Sequence, residues 1–182
     1  DGWGLAFVDD VSTEIYREPK PAALSLKMDH VLQHQKPAHL VISHIRKATQ
    51  GEISLKNTQP FSRTIHEKKH VFVHNGNLVD IQQNITLNKC KPEGETDSEY
   101  AFCYLMEKIE LLWQHQVPSL EERIEVVKAA FNRFSKLGQA NFIYTDGEFL
   151  FAFANERTQL NGKIEPPGLH YLVRDIHSNP AK

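Results

Sequence analysis

The chain has 182 residues, 40% of them hydrophobic and 24% charged, with a formal net charge of −2. At roughly 100–200 residues per domain, one domain with a sizeable core is expected. The slight acidity speaks against a nucleic-acid surface, and no run approaches the ~18 consecutive apolar residues of a membrane span.

The first element, "DGWGLAFVDD", reads as a glycine-bounded strand with Trp3, Leu5 and Phe7 alternating on one face. A second, "HLVISHIRKA", is apolar on both faces until it meets Arg46. The third, "HVFVHNG", ends on Asn75-Gly76, the dipeptide that most readily turns a hairpin. The basic run just before it, Lys68-Lys69 with His66 and His70, is expected on a solvated edge or loop. Then the period changes. Thr96 and Glu99 form a capping-box pair, followed by Ala101, Leu105, Ile109 and Leu112 at helical spacing. Ser119 and Glu122 repeat the box for a second helix, with Leu120, Ile124, Val127, Phe131 and Phe134 as its buried stripe and Gly138 as its stop. "NFIYTDGEFLFAFA" predicts a hairpin around Asp146-Gly147, "NERTQLNGKIEPPG" a flexible polar stretch, and "GLHYLVRD" one more strand. Strands, two helices and strands again make an α+β pattern rather than a strict βαβ alternation.

Two cysteines, Cys90 and Cys103, fit neither a metal-type pair nor a disulfide framework, which points to a reducing, cytoplasmic compartment. Cys103 falls within the first predicted helix, where it reads as a small hydrophobe. The ten histidines show no ligand spacing, so neither a metal nor a cofactor is expected. His44 and His74 lie on strands and read as packed or locally hydrogen-bonded.

Three positions carry chemical potential. Arg46 closes an apolar strand, and its fork of donors suits a carboxylate, although a surface arginine ending a strand is the plainer reading. At Asn75-Gly76 a side-chain amide and a backbone N–H could converge on a developing oxyanion, or the pair could simply be a hairpin. Asp97 sits in the first turn of a helix, where capping alone would favour it; a functional role would be to receive an ammonium group.

Taken in order, "DGWGLAF", "SHIRKAT-G", "NTQPF", "HNGNL" and "ETDSE" resemble the class II glutamine amidotransferases, whose domain is of the N-terminal-nucleophile hydrolase type. The likeness is greatest to stand-alone members, similar to the γ-glutamyl hydrolase of ergothioneine synthesis and the yeast glutathione-degrading amidotransferase. It implies a four-layer αββα sandwich over residues 1–182, a single type 2 amidotransferase domain lacking its N-terminal nucleophile segment and part of its C-terminus. It also implies roles. Arg46 would grip the α-carboxylate of a glutamine or γ-glutamyl group, with Thr49, Asn57 and His74 in the substrate pocket. Asp97 would bind the α-amino group, and Asn75 and Gly76 would form the oxyanion hole. The nucleophile would be a cysteine at a mature N-terminus ahead of "DGWG", its own α-amine serving as base.

One departure lies inside a motif. Gln59 stands where stand-alone relatives usually carry histidine, which puts any pH-dependent role of that position in doubt. The implied reaction is hydrolysis of glutamine or a γ-glutamyl amide, with no nucleic acid or membrane as partner. A separate ammonia-accepting synthase is the possible protein partner. The rival expectation is an inactive module that binds the same small molecules.

Overall fold

The computed structural model describes residues 1–9, 12–35, 37–47 and 51–173. Its fold is mixed α/β, with two main sheets and helices packed on them. Strand β1 (Gly2–Val8) lies between β2 (Thr13–Glu18) and β3 (Leu40–Arg46) in a three-stranded antiparallel sheet. The second sheet has the order β4 (Phe61–Ile65), β5 (Lys68–Leu78), β6 (Gly138–Thr145), β7 (Leu150–Ala154), again antiparallel throughout.

The two-residue period of β1 explains how it is buried on both sides. Trp3, Leu5 and Phe7 pack on Val31 of α1 (Leu26–His34), whose N-cap Ser25 accepts a hydrogen bond from the Met28 N–H. Ala6, on the opposite face, joins Ile42, Val71 and Val73 in a thin core of small residues between the sheets. Gly2 and Gly4 share that face. A Cβ on Gly4 would fall 2.0 Å from the Gln59 carbonyl oxygen, so glycine there lets residues 58–60 lie directly across the strand.

The far face of the second sheet carries the main core. Phe72, Phe142 and Tyr144, with Ile81 of the short α2 (Ile81–Asn84), pack under α3 (Asp97–Leu112) and α4 (Leu120–Phe134), which contribute Phe102, Leu105, Ile109, Phe131 and Phe134. Both expected helices form where their boxes place them. Ser119 and Glu122 make the full reciprocal box; Thr96 accepts from the Glu99 N–H, but the Glu99 carboxylate turns back to the N–H groups of Glu93 and Gly94. Ile124, expected in the buried stripe, is 41% exposed. Buried Arg123 ties α4 to the Asp146-Gly147 hairpin through Asp146 at 3.0 Å and stacks over Trp113.

Several expectations are corrected. Asn75-Gly76 is not a turn: β5 runs unbroken through it, because β6 pairs with every residue from Val71 to Leu78. The hairpin at that strand's start turns instead on His66 and Glu67, both at positive φ. His70 is fully buried rather than solvated, its Nδ1 lying 2.7 Å from the Tyr144 hydroxyl. β3 is not apolar-buried on both faces; Val41 and Ile45 are exposed. Residues 168–173, expected as a strand, are irregular and exposed, with 174–175 outside the described residues. Two short strands occur instead in the stretch read as flexible: β8 (Arg157–Thr158) pairs with β9 (Ile164–Glu165). Cys90 and Cys103, expected to be separate, are bonded to each other. The Glu107 carboxylate accepts the N–H groups of Asn88, Lys89 and Cys90, folding that loop over α3 and bringing the two Cα atoms to 5.4 Å.

Candidate active site

One end of the two sheets opens into a cleft of about 600 Å³. Arg46 enters it from the last residue of β3, His74, Asn75 and Gly76 from β5, Asp97 from the start of α3, and Gln139 and Arg157 from the far side. Five of the expected site residues therefore meet in one place. Asn57 does not line the cleft. Fully buried behind it, Asn57 accepts the Glu95 N–H at 2.9 Å and donates to the Glu52 carbonyl at 3.1 Å, joining two loops. Thr49 lies outside the described residues.

The β4-facing edge of β5 is the central feature. Pairing with β4 stops at Phe61↔Phe72, and strand alternation then points the N–H and C=O groups of residues 74, 76 and 78 toward the vacated edge. Gln59 takes the first position with its side chain: His74 N–H donates to Oε1 at 2.6 Å, and Nε2 donates to the His74 carbonyl at 3.1 Å. Asp97 takes the third, its Oδ2 accepting the Leu78 N–H at 2.8 Å. Between them alternation aims the Gly76 N–H into the cleft. The neighbouring Asn75 side chain is exposed there, on the face that looks toward Arg46 and the first sheet.

Only glycine fits at 76. A Cβ would lie 1.8 Å from the Gln139 carbonyl oxygen and 2.6 Å from His74 Nε2. Those two atoms are themselves 3.1 Å apart, and since a carbonyl can only accept, Nε2 carries the hydrogen. Nδ1 then accepts from the Ser98 hydroxyl at 2.9 Å, leaving Asp97 Oδ2 at 3.9 Å. Burial drives the His74 pKa down, with the Asp97 charge opposing it. A neutral imidazole thus braces Gly76 from beneath and Ser98 from the side. Burial likewise lowers His44, in the adjacent wall, to about 4; its buried Nδ1 has no hydrogen-bond partner among the described residues.

Arg46 is 6% exposed, and its guanidinium donates to the Glu52 and Gly51 carbonyls at 3.3 and 3.4 Å. These bonds aim the fork without neutralising it, and burial lowers its pKa from an ordinary value so high that it stays cationic. Sequence reasoning left out Lys47, Ser98, Gln139, Arg157 and Thr158 from this lining. Lys47 and Ser98 each adjoin a named residue. Gln139, Arg157 and Thr158 depend on the β5–β6 register and on a return segment that no local pattern ties to the cleft.

Among the described residues, no group of three or more His, Cys, Asp or Glu side chains is arranged to hold a metal ion, and no helix is long and apolar enough to cross a membrane.

Residues 1–179 match the family described as glutamine amidotransferases class-II. A provisionally named glutamine amidotransferase of Haemophilus influenzae is 36% identical over 174 residues, covering 96% of this chain and 55% of that protein. An uncharacterized protein of Methanocaldococcus jannaschii is 35% identical over 177 residues, covering 96% and 46%. The chain thus spans about half the length of these two relatives. The crystal structure of a predicted glutamine amidotransferase from Pseudomonas aeruginosa superposes with a TM-score of 0.66 at 31% identity, over 86% of this chain and 61% of that one.

Proposed function

The chain belongs to the class II glutamine amidotransferases, and from that premise we propose that it hydrolyses a γ-glutamyl amide through a cysteine-bound γ-glutamyl thioester. The observation that carries this reading is the edge of β5, where Gln59 and Asp97 cap the flanking positions and aim the Gly76 N–H into the cleft beside the Asn75 amide.

The substrate's α-carboxylate is assigned to the Arg46 fork and its α-ammonium to Asp97, whose oxygens retain lone pairs beyond the bond from Leu78. Two charged anchors leave the γ-carbonyl a single place to lie. A thiolate attacking that carbon pushes its electron pair onto the carbonyl oxygen, where Asn75 Nδ2 and Gly76 N–H stabilise it. Collapse expels ammonia or an amine, which takes a proton, and leaves the thioester; water then attacks and releases glutamate and the thiol. The nucleophile, a cysteine at a mature N-terminus with its own α-amine as base, comes from the family resemblance. Cys90 and Cys103 are bonded to each other and do not line the cleft. Ser98 is 6% exposed and its hydroxyl is engaged by His74, which suits a bracing role rather than attack.

The packing order of α1, the first sheet, the second sheet and the α3–α4 pair supports reading the fold as the four-layer αββα sandwich of N-terminal-nucleophile hydrolases. A cytoplasmic location and an ammonia-accepting synthase partner belong to the same proposal. The test is glutamate release from L-glutamine and γ-glutamyl amides by the full-length protein. Release that disappears when the N-terminal cysteine becomes alanine supports the enzyme; tight binding of these compounds without release would establish a binding module instead.

A further inference from the structure

The cleft holds more positive charge than a γ-glutamyl group can use. Among the described residues its lining has three cations, Arg46, Lys47 and Arg157, against one carboxylate, Asp97, in a chain whose net charge is −2. Arg46 and Asp97 are matched to the two charged α-groups in the reading above. Lys47 and Arg157 remain, both exposed and neither in an ion pair among the described residues.

Arg157 is not placed there by accident of a loose loop. Gln139 Nε2 donates to Thr158 Oγ1 at 3.0 Å, and Thr158 N–H donates back to Gln139 Oε1 at 3.1 Å. Two residues further along β6, Asn141 Nδ2 donates to the carbonyls of Asn75 and Glu156 at 2.8 Å each, and its Oδ1 accepts the Asn155 N–H at 3.1 Å. Residues 155–158 are therefore laced onto β6 beside Asn75 and Gly76. Their backbone is held, while the guanidinium of Arg157 makes no bond among the described residues. Its cross-strand neighbour is Glu165, which forms no ion pair with it. β3, with Arg46, belongs to the other sheet. This cation thus reaches the cleft from the second sheet, beside the proposed oxyanion donors, whereas the proposed α-carboxylate anchor reaches it from the first.

We propose that Arg157, assisted by Lys47, is a specificity determinant that selects γ-glutamyl amides whose leaving amine carries a carboxylate, such as a γ-glutamyl peptide, over amides with a neutral leaving group, such as glutamine. This rests on the γ-glutamyl hydrolase reading above. The physical basis is a charge-assisted bond to a planar carboxylate, in a partly open cleft where salt weakens it.

The experiment compares γ-L-glutamylglycine with γ-L-glutamylmethylamide as substrates of the full-length protein and its Arg157→Gln, Lys47→Gln and Arg157→Glu variants, at low and high salt. The expected ratio of kcat/KM favours the glycine amide about tenfold at low salt. It shrinks at high salt, falls severalfold in Arg157→Gln, less in Lys47→Gln, and inverts in Arg157→Glu. A wild-type ratio near one, or a preference that survives Arg157→Gln with Lys47→Gln, overturns the inference. If neither amide releases glutamate, the hydrolase reading has failed instead. Calorimetric titration of the two amides into wild type and Arg157→Gln then decides the charge preference: loss of the glycine-amide advantage supports it, and equal binding overturns it.

Discussion

The floor and the rim of the cleft are built on opposite principles. On the floor, His74, Gln59, Ser98 and Asp97 are buried or nearly so, and each has its polar atoms engaged: the His74 backbone by Gln59, its ring by Ser98 and Gln139, and Asp97 by Leu78. At the rim, the backbone of residues 155–158 is tied down by Gln139 and Asn141, but Arg157 and Lys47 are exposed and in no ion pair among the described residues. A buried polar network has few alternatives once satisfied, so it fixes positions to fractions of an ångström. An exposed cation on a fixed backbone keeps its reach and can adapt to what arrives. On the proposed reading, the floor sets transition-state geometry and the rim sets substrate choice.

The floor's role is broken most visibly at Asn75. Asn75→Ala is expected to lower kcat about 10²–10³-fold with KM changed little, because only the developing oxyanion is deprived of a donor. Steady-state glutamate release measures it; a small loss of stability with normal turnover would return Asn75 to an ordinary strand residue. Arg46→Ala removes a charged anchor and is expected to raise KM about 10–100-fold. The control is Arg46→Lys, which keeps the charge without the fork and should fall between the two. Unchanged KM in the alanine variant would remove Arg46 from the substrate site.

Gln59→Ala sharpens the comparison in stability rather than rate. It leaves the buried His74 N–H and C=O without partners, at a cost of about 1–3 kcal/mol, read as a drop in denaturant midpoint. Gln59→His is the informative companion: one ring cannot both donate to the carbonyl and accept from the N–H of a single residue as an amide does, so the resemblance's usual residue should destabilise this chain.

pH acts on the buried imidazoles. Burial holds His70 and His44 neutral down to about 4, against an ordinary value of 6.5. Between those values the unfolded chain binds protons that the folded chain refuses, so stability falls as pH drops from about 6.5 to 4. Fully buried His70 alone accounts for about 3 kcal/mol over that window. His70→Gln should flatten the slope of unfolding free energy against pH; an unchanged slope would contradict the assignment. The smallest expected effect is at the rim's tether. Asn141→Ala should cost about 1 kcal/mol and speed amide exchange in residues 154–158, while leaving exchange at His74 and Leu78 protected.

Much of this arrangement was legible in the chain because element ends announce themselves. Arg46 interrupts an apolar strand, Asp97 follows a capping threonine, and the five motifs occur in family order; the cleft unites Arg46, His74, Asn75, Gly76 and Asp97. Asn75-Gly76 was misread because local turn preference says nothing of the ladder partner. The eight-residue register with β6 overrides it, as tertiary pairing commonly does. Asn57 looked like a pocket residue and proved to be a brace, since only folding shows that its amide is spent on Glu95 and Glu52. The Cys90–Cys103 bond was invisible for a related reason: a loop and a helix face meet only after Glu107 gathers three backbone N–H groups. Gln59's two-point hold on His74 and the lacing of Arg157 to the rim likewise depend on which strand stops short and which segment returns.

The central claim is that this cleft presents a γ-glutamyl group to a cysteine. Its most direct test is the intact mass of the full-length protein before and after treatment with a glutamine-mimicking diazoketone, with glutamate as competitor. The account predicts one adduct, mapped to an N-terminal cysteine, slowed by glutamate and by Arg46→Ala. No adduct on a protein whose N-terminal cysteine is free, or an adduct indifferent to both, would contradict it.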